Sequence, residues 1–484
     1  MFYQLRKDTY VRKYGELGYI LSVGLFIDRV VDECGSMFLS ALEREPQDIS
    51  DIARKLEKVF VGVKAAELIP DIEEFYEPFV EDGFILKGNN PQEIGEKDCG
   101  FMYSAVDPIG LKEDFTPLKK RADNSTQDVL DTYFLEHPTL ISFQIELTSK
   151  CNERCVHCYI PHEYKTDLIE DELFYGVLSQ LKEMGTLQLT LSGGEPMLHP
   201  KFPEYLRKAK EMGFYVSVLT NLTLLTDEIV HIMEDGNKTS VQVSLYSMIP
   251  EHHDAITTIK GSFDKTKAAI LKLIEHNIPL QISCPTMKQN KDDFKDVLIW
   301  ANEHKVRAVT DYSIMAKYNH DDSNLLYRLT PEECKCIIKD IILYDAGYRE
   351  LVMDEEYREK EFEYSLDPEA RLCGVGVSSC CMVSSGGVYP CAGWQDYTLG
   401  NLYEESLESI WKHSEKLAFL RGLRKKSLKK CLNCENAAYC SPCLVRNANE
   451  SKKGDPLEIA PYFCEVARVN REALEEWFKS RHND

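Results

Sequence analysis

Between residues 140 and 344 a strand pattern and a helical pattern alternate six times, which predicts an α/β fold of parallel strands joined by right-handed helical crossovers, forming a sheet or an incomplete barrel. Two flanking observations complete the prediction. Short strands and three amphipathic helices precede the repeat, and a segment dense in cysteine follows it. At about 150 residues per domain, the 484 residues allow two to four domains.

Residues 1–88 read as a winged-helix-like module. Aromatic and β-branched residues around the turn from Tyr14 to Gly18 predict two strands, Thr9–Arg12 and Gly18–Val23. Apolar residues at three- and four-residue spacing predict helices over Asp28–Leu42, from Asp48 or Ser50 to Phe60, and over Leu68–Val80, the last stopping at Asp82-Gly83. The first helix carries Cys34 on its apolar face, which makes that thiol a core residue. Residues 89–135, rich in Gly, Pro, Asn, Asp and Lys, read as a linker.

Within 136–345 the predicted strands are Leu140–Leu147, Leu187–Ser192, Tyr215–Asn221, Ser240–Tyr246, Pro279–Cys284 and Arg307–Ser313. Helices such as Asp171–Met184 lie between them. Residues 346–372 read as an acidic helical bridge, and 373–484 as a cysteine-rich unit closing on an amphipathic helix near Val466–Phe478. Function in such folds collects at the C-terminal ends of the strands.

Composition excludes several classes. The chain carries 57 Lys+Arg against 80 Asp+Glu, a formal net charge of −23, with no basic stripe, so nucleic acid and anionic membrane surfaces are not expected partners. The start, MFYQLRKDTYV, has no apolar signal region and no apolar run approaches 18 residues, so a cytoplasmic protein is expected. In that reducing compartment, nine of the 17 cysteines crowded into 373–464 point to metal rather than disulfides.

Directly after the first barrel strand stands Cys151-x3-Cys155-x2-Cys158. Three thiolates on one short loop can ligate three irons of a cubane cluster and leave the fourth open to a small molecule. A zinc site completed by His157 or His162 is the alternative, but this is not a usual zinc spacing. The second strand ends in Gly193-Gly194-Glu195-Pro196, where paired glycines admit a ligand close to the backbone and the carboxylate can meet an ammonium group.

These residues resemble the radical S-adenosylmethionine (SAM) enzymes over about residues 140–345. The resemblance implies a partial (β/α)6 TIM-like barrel and a [4Fe–4S] cluster on Cys151, Cys155 and Cys158. It also implies a SAM site using Gly193, Gly194, Glu195, Asn221 and Ser244. An arginine often found about a dozen residues after that serine is absent; Ile256-Thr257-Thr258 stands there, with Lys260 nearby.

Cys373-x12-Gly386-x4-Cys391, then Cys431-x2-Cys434-x5-Cys440-x2-Cys443, then Cys464, resembles the SPASM extension of that family, with two residues between Cys440 and Cys443 where three are usual. The resemblance implies two auxiliary [4Fe–4S] clusters, one on Cys373, Cys391 and Cys443 with Cys380 or Cys381, the other on Cys431, Cys434, Cys440 and Cys464. A zinc ribbon on Cys431/Cys434/Cys440/Cys443 is the alternative. The N-terminal module resembles leader-peptide recognition domains, in which a peptide adds as a strand to a sheet edge. Here the expected groove lies between Tyr19–Val23 and the third helix.

Together these resemblances imply a radical SAM maturase of a ribosomally made precursor peptide. SAM cleavage would give a 5′-deoxyadenosyl radical that takes hydrogen from a peptide C–H. The favoured product is a Cys thioether of the sactipeptide or ranthipeptide kind, with flavodoxin or ferredoxin as electron donor. A carbon–carbon crosslink, epimerisation or side-chain oxidation by the same chemistry is the first alternative. A non-catalytic iron–sulfur carrier or scaffold is the second, and it predicts no SAM cleavage. Bland readings suit Cys284 and Cys336 as core thiols and His252-His253 as a solvated loop, while Tyr246 either packs or lines the cavity. The sequence nominates no general acid or base.

Overall fold

The computed structural model describes residues 1–105, 126–164 and 166–481. Its first unit comprises β1 (Phe2–Leu5), β2 (Thr9–Tyr14), β3 (Leu17–Ser22), β4 (Ile27–Val31), α1 (Glu33–Ser40), β5 (Gln47–Asp48), α2 (Ile49–Glu57), α3 (Ala65–Glu81), β6 (Ile85–Gly88) and α4 (Pro91–Lys97). Strands β2, β3 and β4 form an antiparallel meander, and β1 lies between β5 and β6. Ile20, Leu39, Ile52, Ile72, Tyr76 and Phe84 close the core between strands and helices.

Residues 28–31, expected to be helical, are β4. Val30 and Val31 suit a strand through their β-branching, and Asp32 starts the helix by accepting from the Gly35 amide at 2.8 Å. That later start rotates the helix, so Gly35, Ser36, Phe38 and Leu39 are buried while Cys34 is exposed, not a core thiol. Part of the segment read as a linker is also folded. It contains α4 and α5 (Thr126–Glu136), whereas residues 106–125 lie outside the described residues.

The barrel elements follow as β7 (Ser142–Thr148), α6 (Asp171–Glu183), β8 (Gln188–Gly193), α7 (Phe202–Glu211), β9 (Tyr215–Thr220), α8 (Asp227–Glu234), β10 (Ser240–Ser244), α9 (Pro250–Thr257), α10 (Ser262–Glu275), β11 (Leu280–Ser283), α11 (Phe294–Glu303), β12 (Arg307–Val309) and α12 (Pro331–Tyr344). The six strands β7 to β12 are parallel neighbours in chain order. Phe143, Ile145 and Leu147 of β7 join the core shared with Phe174, Val177, Leu178 and Leu181 of α6. Strand alternation turns Gln144, Glu146 and Thr148 to the opposite, inner face.

The remaining elements are α13 (Ala346–Met353), α14 (Glu355–Leu366), β13 (Ser379–Met382), β14 (Gly387–Tyr389), β15 (Gly400–Asn401), α15 (Leu407–His413), α16 (Glu415–Gly422), α17 (Leu444–Glu450) and α18 (Pro461–Arg481). Strand β13 pairs in parallel with β7, and β14 and β15 extend the sheet antiparallel to nine strands. The cysteine-rich unit therefore shares the barrel sheet. Helix α18 lies along α12, where Ile338, Ile342 and Ala473 meet.

The N-terminal meander sits under the barrel. Tyr10, Tyr14 and Tyr19 pack with Leu130 and Phe134 of α5 and with Leu187 and Val377 beside the strand starts. Arg12 donates to the Gly213 carbonyl at 2.7 Å. This leaves the C-terminal strand ends to the cysteine loop. Among the described residues no helix is long and apolar enough to cross a membrane.

Candidate active site

The loop leaving β7 carries Cys151, Cys155 and Cys158 and is held by hydrogen bonds from three sides. The Gly194 and Glu195 amides donate to the Thr148 and Lys150 carbonyls, each at 2.8 Å. Asn152 donates to Thr223 at 2.7 Å and accepts from the Asn221 amide group at 2.9 Å. The Arg154 and Val156 amides donate to the Thr257 and Ile256 carbonyls at 3.0 Å, at the end of α9.

The three thiols are brought together. Burial raises the Cys155 thiol well above its usual range, and Glu153, Cys158 and Cys151 raise it further. Burial disfavours the Cys155 thiolate on its own, and a positively charged iron centre among the three sulfurs would favour it. The Tyr246 hydroxyl donates to Cys155 Sγ at 3.8 Å, and its ring packs on His157 with centroids 5.2 Å apart. Ser244, at the end of β10, lies beside the same hydroxyl.

The glycine pair is required by space. Gly193 has φ +145°, and a Cβ there would stand 2.1 Å from the Thr148 carbonyl oxygen, while one on Gly194 would stand 2.3 Å from that of Lys150. The turn thus closes directly on the cysteine loop. Glu195 is fully buried, and its carboxylate accepts from the Met197 amide at 3.0 Å, the Thr220 hydroxyl at 2.8 Å and the Asn221 amide at 2.8 Å. Burial pushes it up to about 7 against these three donors. The carboxylate ties β8 to β9, so the groups of this turn that face a ligand are backbone groups.

His252 and His253 do not form a solvated loop. They lie on α9, where His253 is fully buried, accepts from the Tyr246 amide at 3.3 Å and is lowered by burial to about 4, while His252 contacts Asp293 at 3.2 Å. Lys260 is exposed. Cys284 is buried as expected, but in α12 the buried thiol is Cys334, and Cys336 is exposed.

The C-terminal cysteines fall into two groups. Burial and then the neighbouring thiols raise Cys431, Cys440 and Cys464, Cys440 to about 12, and these three line a cavity of about 80 Å³ together with Cys434, Leu428 and Phe463. Cys443 reaches the edge of that cavity but is coupled to Cys373 and Cys391. The adjacent pair on β13 splits by strand alternation. Cys380 pairs with Phe143 and joins the helix-side core, whereas Cys381 pairs with Gln144 and faces inward, its thiol donating to the Tyr389 carbonyl at 3.4 Å. Both lie near Cys391.

Sequence reasoning missed a polar group on the inner face. Glu146 is 3% exposed and accepts from the Gln395 amide at 2.8 Å. Tyr159, Tyr318 and Cys381 stand close enough to feel its charge. The available signal was the alternation of Gln144, Glu146 and Thr148 with apolar residues in one strand.

A parallel barrel whose strand ends carry a C-x3-C-x2-C loop closed by a glycine–glycine turn, followed by a unit holding two further cysteine groups, is the arrangement expected of a radical SAM enzyme with an iron–sulfur extension. Residues 145–301 match the radical SAM superfamily and 373–435 the iron–sulfur cluster-binding SPASM domain, so this chain carries both, and with them the requirement for [4Fe–4S] clusters and SAM. It is similar to an AdoMet-dependent heme synthase of Methanosarcina barkeri, 28% identical over 67% of this chain and 96% of that protein. It is also similar to the antilisterial bacteriocin subtilosin biosynthesis protein AlbA of Bacillus subtilis, 26% identical over 66% of this chain and 70% of the relative. The fold matches Streptococcus suis SuiB, solved bound to its precursor peptide SuiA, with TM-score 0.58 and 16% identity over 95% of this chain and 99% of SuiB.

Proposed function

We propose that this protein is a maturase of a ribosomally made peptide. The observation that carries the reading is the N-terminal module docked beneath the barrel with β4 at the edge of its sheet, where α5 packs against it and Thr126 donates to the Asp28 carbonyl at 3.4 Å. Among the described residues β4 pairs only with β3. Because β3 is flanked by β2 and β4, the leader groove expected beside Tyr19–Val23 moves to β4 and α3, which the Arg29–Asp82 ion pair joins at 3.3 Å. A leader adding to β4 would use main-chain bonds for affinity and neighbouring pockets for specificity. The whole-length likeness to SuiB supports this.

Cys151, Cys155 and Cys158 would hold the SAM-binding cluster, with Gly193, Gly194, Glu195, Asn221 and Ser244 shaping the SAM site. Cys431, Cys434, Cys440 and Cys464 would hold one auxiliary cluster, and Cys373, Cys391 and Cys443 the other, with the inward-facing Cys381 preferred to Cys380 as its fourth ligand. When bound, the cluster and SAM supply a carbon-centred radical that takes a hydrogen atom from a peptide C–H. The chain's own part is to hold the target carbon close to that radical and keep water out. Our favoured product is a Cys thioether, with a flavodoxin or ferredoxin as electron donor.

The heme synthase relative favours a second reading, a tetrapyrrole substrate. By sequence the heme synthase and AlbA cover this chain alike, 67% and 66%, and the peptide reading is preferred because it gives the N-terminal module a task. Coexpression with candidate precursor peptides taken from short reading frames flanking the gene tests this. A two-hydrogen mass loss with cysteines resistant to alkylation supports the thioether. An unchanged mass with unchanged residue configuration counts against peptide maturation.

A further inference from the structure

The cavity lined by Cys431, Cys434, Cys440 and Cys464 has two cations in its wall, Lys425 and Arg446, and among the described residues no carboxylate. Lys425 is engaged at the end of α14, where its ammonium bonds the Tyr364 carbonyl and lies 3.9 Å from the centre of the Tyr364 ring. Arg446, the third residue of α17, is placed differently. Its guanidinium stands 5.1 Å over the ring of Phe463, the chain neighbour of Cys464, and 3.2 Å from Asp311 Oδ2. Asp311 lies just beyond β12, at the C-terminal end of the barrel, and its Oδ1 accepts from the Ser313 amide at 2.7 Å, which leaves Oδ2 for the arginine. The Arg446 side chain is 25% exposed and that of Asp311 61%. The guanidinium is thus set in the cavity wall while its counter-charge stands in solvent. An ion pair with one exposed partner stabilises a fold only weakly, so stability alone is a poor reason for a guanidinium beside Leu428, Phe463 and Ala467.

Resting on the assignment of a [4Fe–4S] cluster to these four cysteines, we propose that Arg446 raises the reduction potential of that cluster and that Asp311 partly cancels its effect. The cavity fits the group, because four thiols from two separate segments border one space. Four thiolates around a [4Fe–4S] core of charge +2 carry a net charge of about −2, and adding one electron takes it to about −3 with no bond made and no proton moved. A fixed cation beside the site stabilises the more negative state more, so it raises the potential; net charge and solvent exposure are the levers by which a protein sets it. The thiols already register that charge, since neighbouring cysteines raise Cys440 while Arg446 lowers it. Asp311 acts with the opposite sign and, being exposed, is screened by water and salt. A raised potential makes this cluster the readier electron acceptor, and the ion pair ties that setting to a strand end of the barrel.

The test is a potentiometric titration of the reconstituted full chain followed by paramagnetic resonance, with the cluster identified as the signal that Cys440→Ser removes. At the wild-type midpoint, Arg446→Met should leave this cluster about ten-fold less reduced, a fall of about 59 mV for one electron. Arg446→Lys should stay within about two-fold of wild type, because it keeps the charge. Asp311→Asn, which keeps an acceptor for the Ser313 amide, should move the ratio the other way by about three-fold. The opposed signs separate tuning from structure, since Arg446→Met and Asp311→Asn break the same ion pair and a merely structural role moves both alike. Shifts of the same sign, or an unmoved midpoint in Arg446→Met, would overturn the proposal. If Arg446→Met does not load the cluster, Asp311→Asn decides: a higher midpoint supports the proposal, and an unchanged or lower one overturns it. Should Cys440→Ser leave every wild-type signal in place, the cluster assignment itself fails and the proposal falls with it.

Discussion

Asn221 donates its side-chain amide to Asn152 Oδ1 at 2.9 Å, joining the end of β9 to the loop that bears the three cysteines. The same Asn152 donates to Thr223 at 2.7 Å, and Asn221 accepts from the Thr223 amide at 3.0 Å. The position expected from family resemblance to touch SAM is therefore also a strut for the cluster loop.

That strut is measurable without turnover. Asn221→Ala and Asn152→Ala should each lower stability by about 1 kcal/mol, and a double-mutant cycle should show coupling because the two share one bond. Chemical denaturation of the metal-free chain gives these values. After reconstitution, both variants should lose iron faster to a chelator than wild type.

The glycine turn separates conformation from collision. Gly213→Ala meets only its left-handed φ of +85°, with no atom within 4 Å, and should cost about 1 kcal/mol. Gly194→Ala must displace the Lys150 backbone and should cost several times as much, with loss of SAM binding by calorimetry.

His253 makes the fold acid-sensitive. Its pKa is about 4 in the folded chain against 6.5 unfolded, so the unfolded chain binds more protons between those values. Stability is then fully present above pH 6.5 and falls by about 3 kcal/mol as the pH drops to 4. His253→Asn, whose amide oxygen can replace Nδ1 as acceptor for the Tyr246 amide, should flatten that dependence. Urea midpoints between pH 4 and 7.5 check this.

The two C-terminal cysteine groups should be separable. Cys440→Ser should remove about four irons per chain and one cluster signal by paramagnetic resonance, with SAM binding retained. Cys155→Ser should instead abolish SAM cleavage with the C-terminal signals intact.

Much of this was legible because strand alternation and helical spacing are local. All six barrel strands start within two residues of where the alternating pattern places them, and the cysteine loop and glycine turn fall at the ends of the first two. What escaped depended on distant or ambiguous information. Val30 and Val31 satisfy either period, and only the turn at Phe26, with φ +55°, and the Asp32 cap decide for a strand followed by a helix. His253 looks like a polar loop residue until α9 turns it beneath Tyr246. The pairing of Cys381 with Gln144, and the reach of Gln395 to Glu146, join residues more than 200 positions apart and leave no local trace.

The most direct test of the central claim is a mass spectrum. The anaerobically reconstituted and reduced protein is incubated with SAM and with candidate precursor peptides taken from short reading frames flanking its gene. The account predicts 5′-deoxyadenosine together with a peptide two hydrogens lighter than its precursor. Bound SAM with no 5′-deoxyadenosine released, with or without peptide, would contradict it.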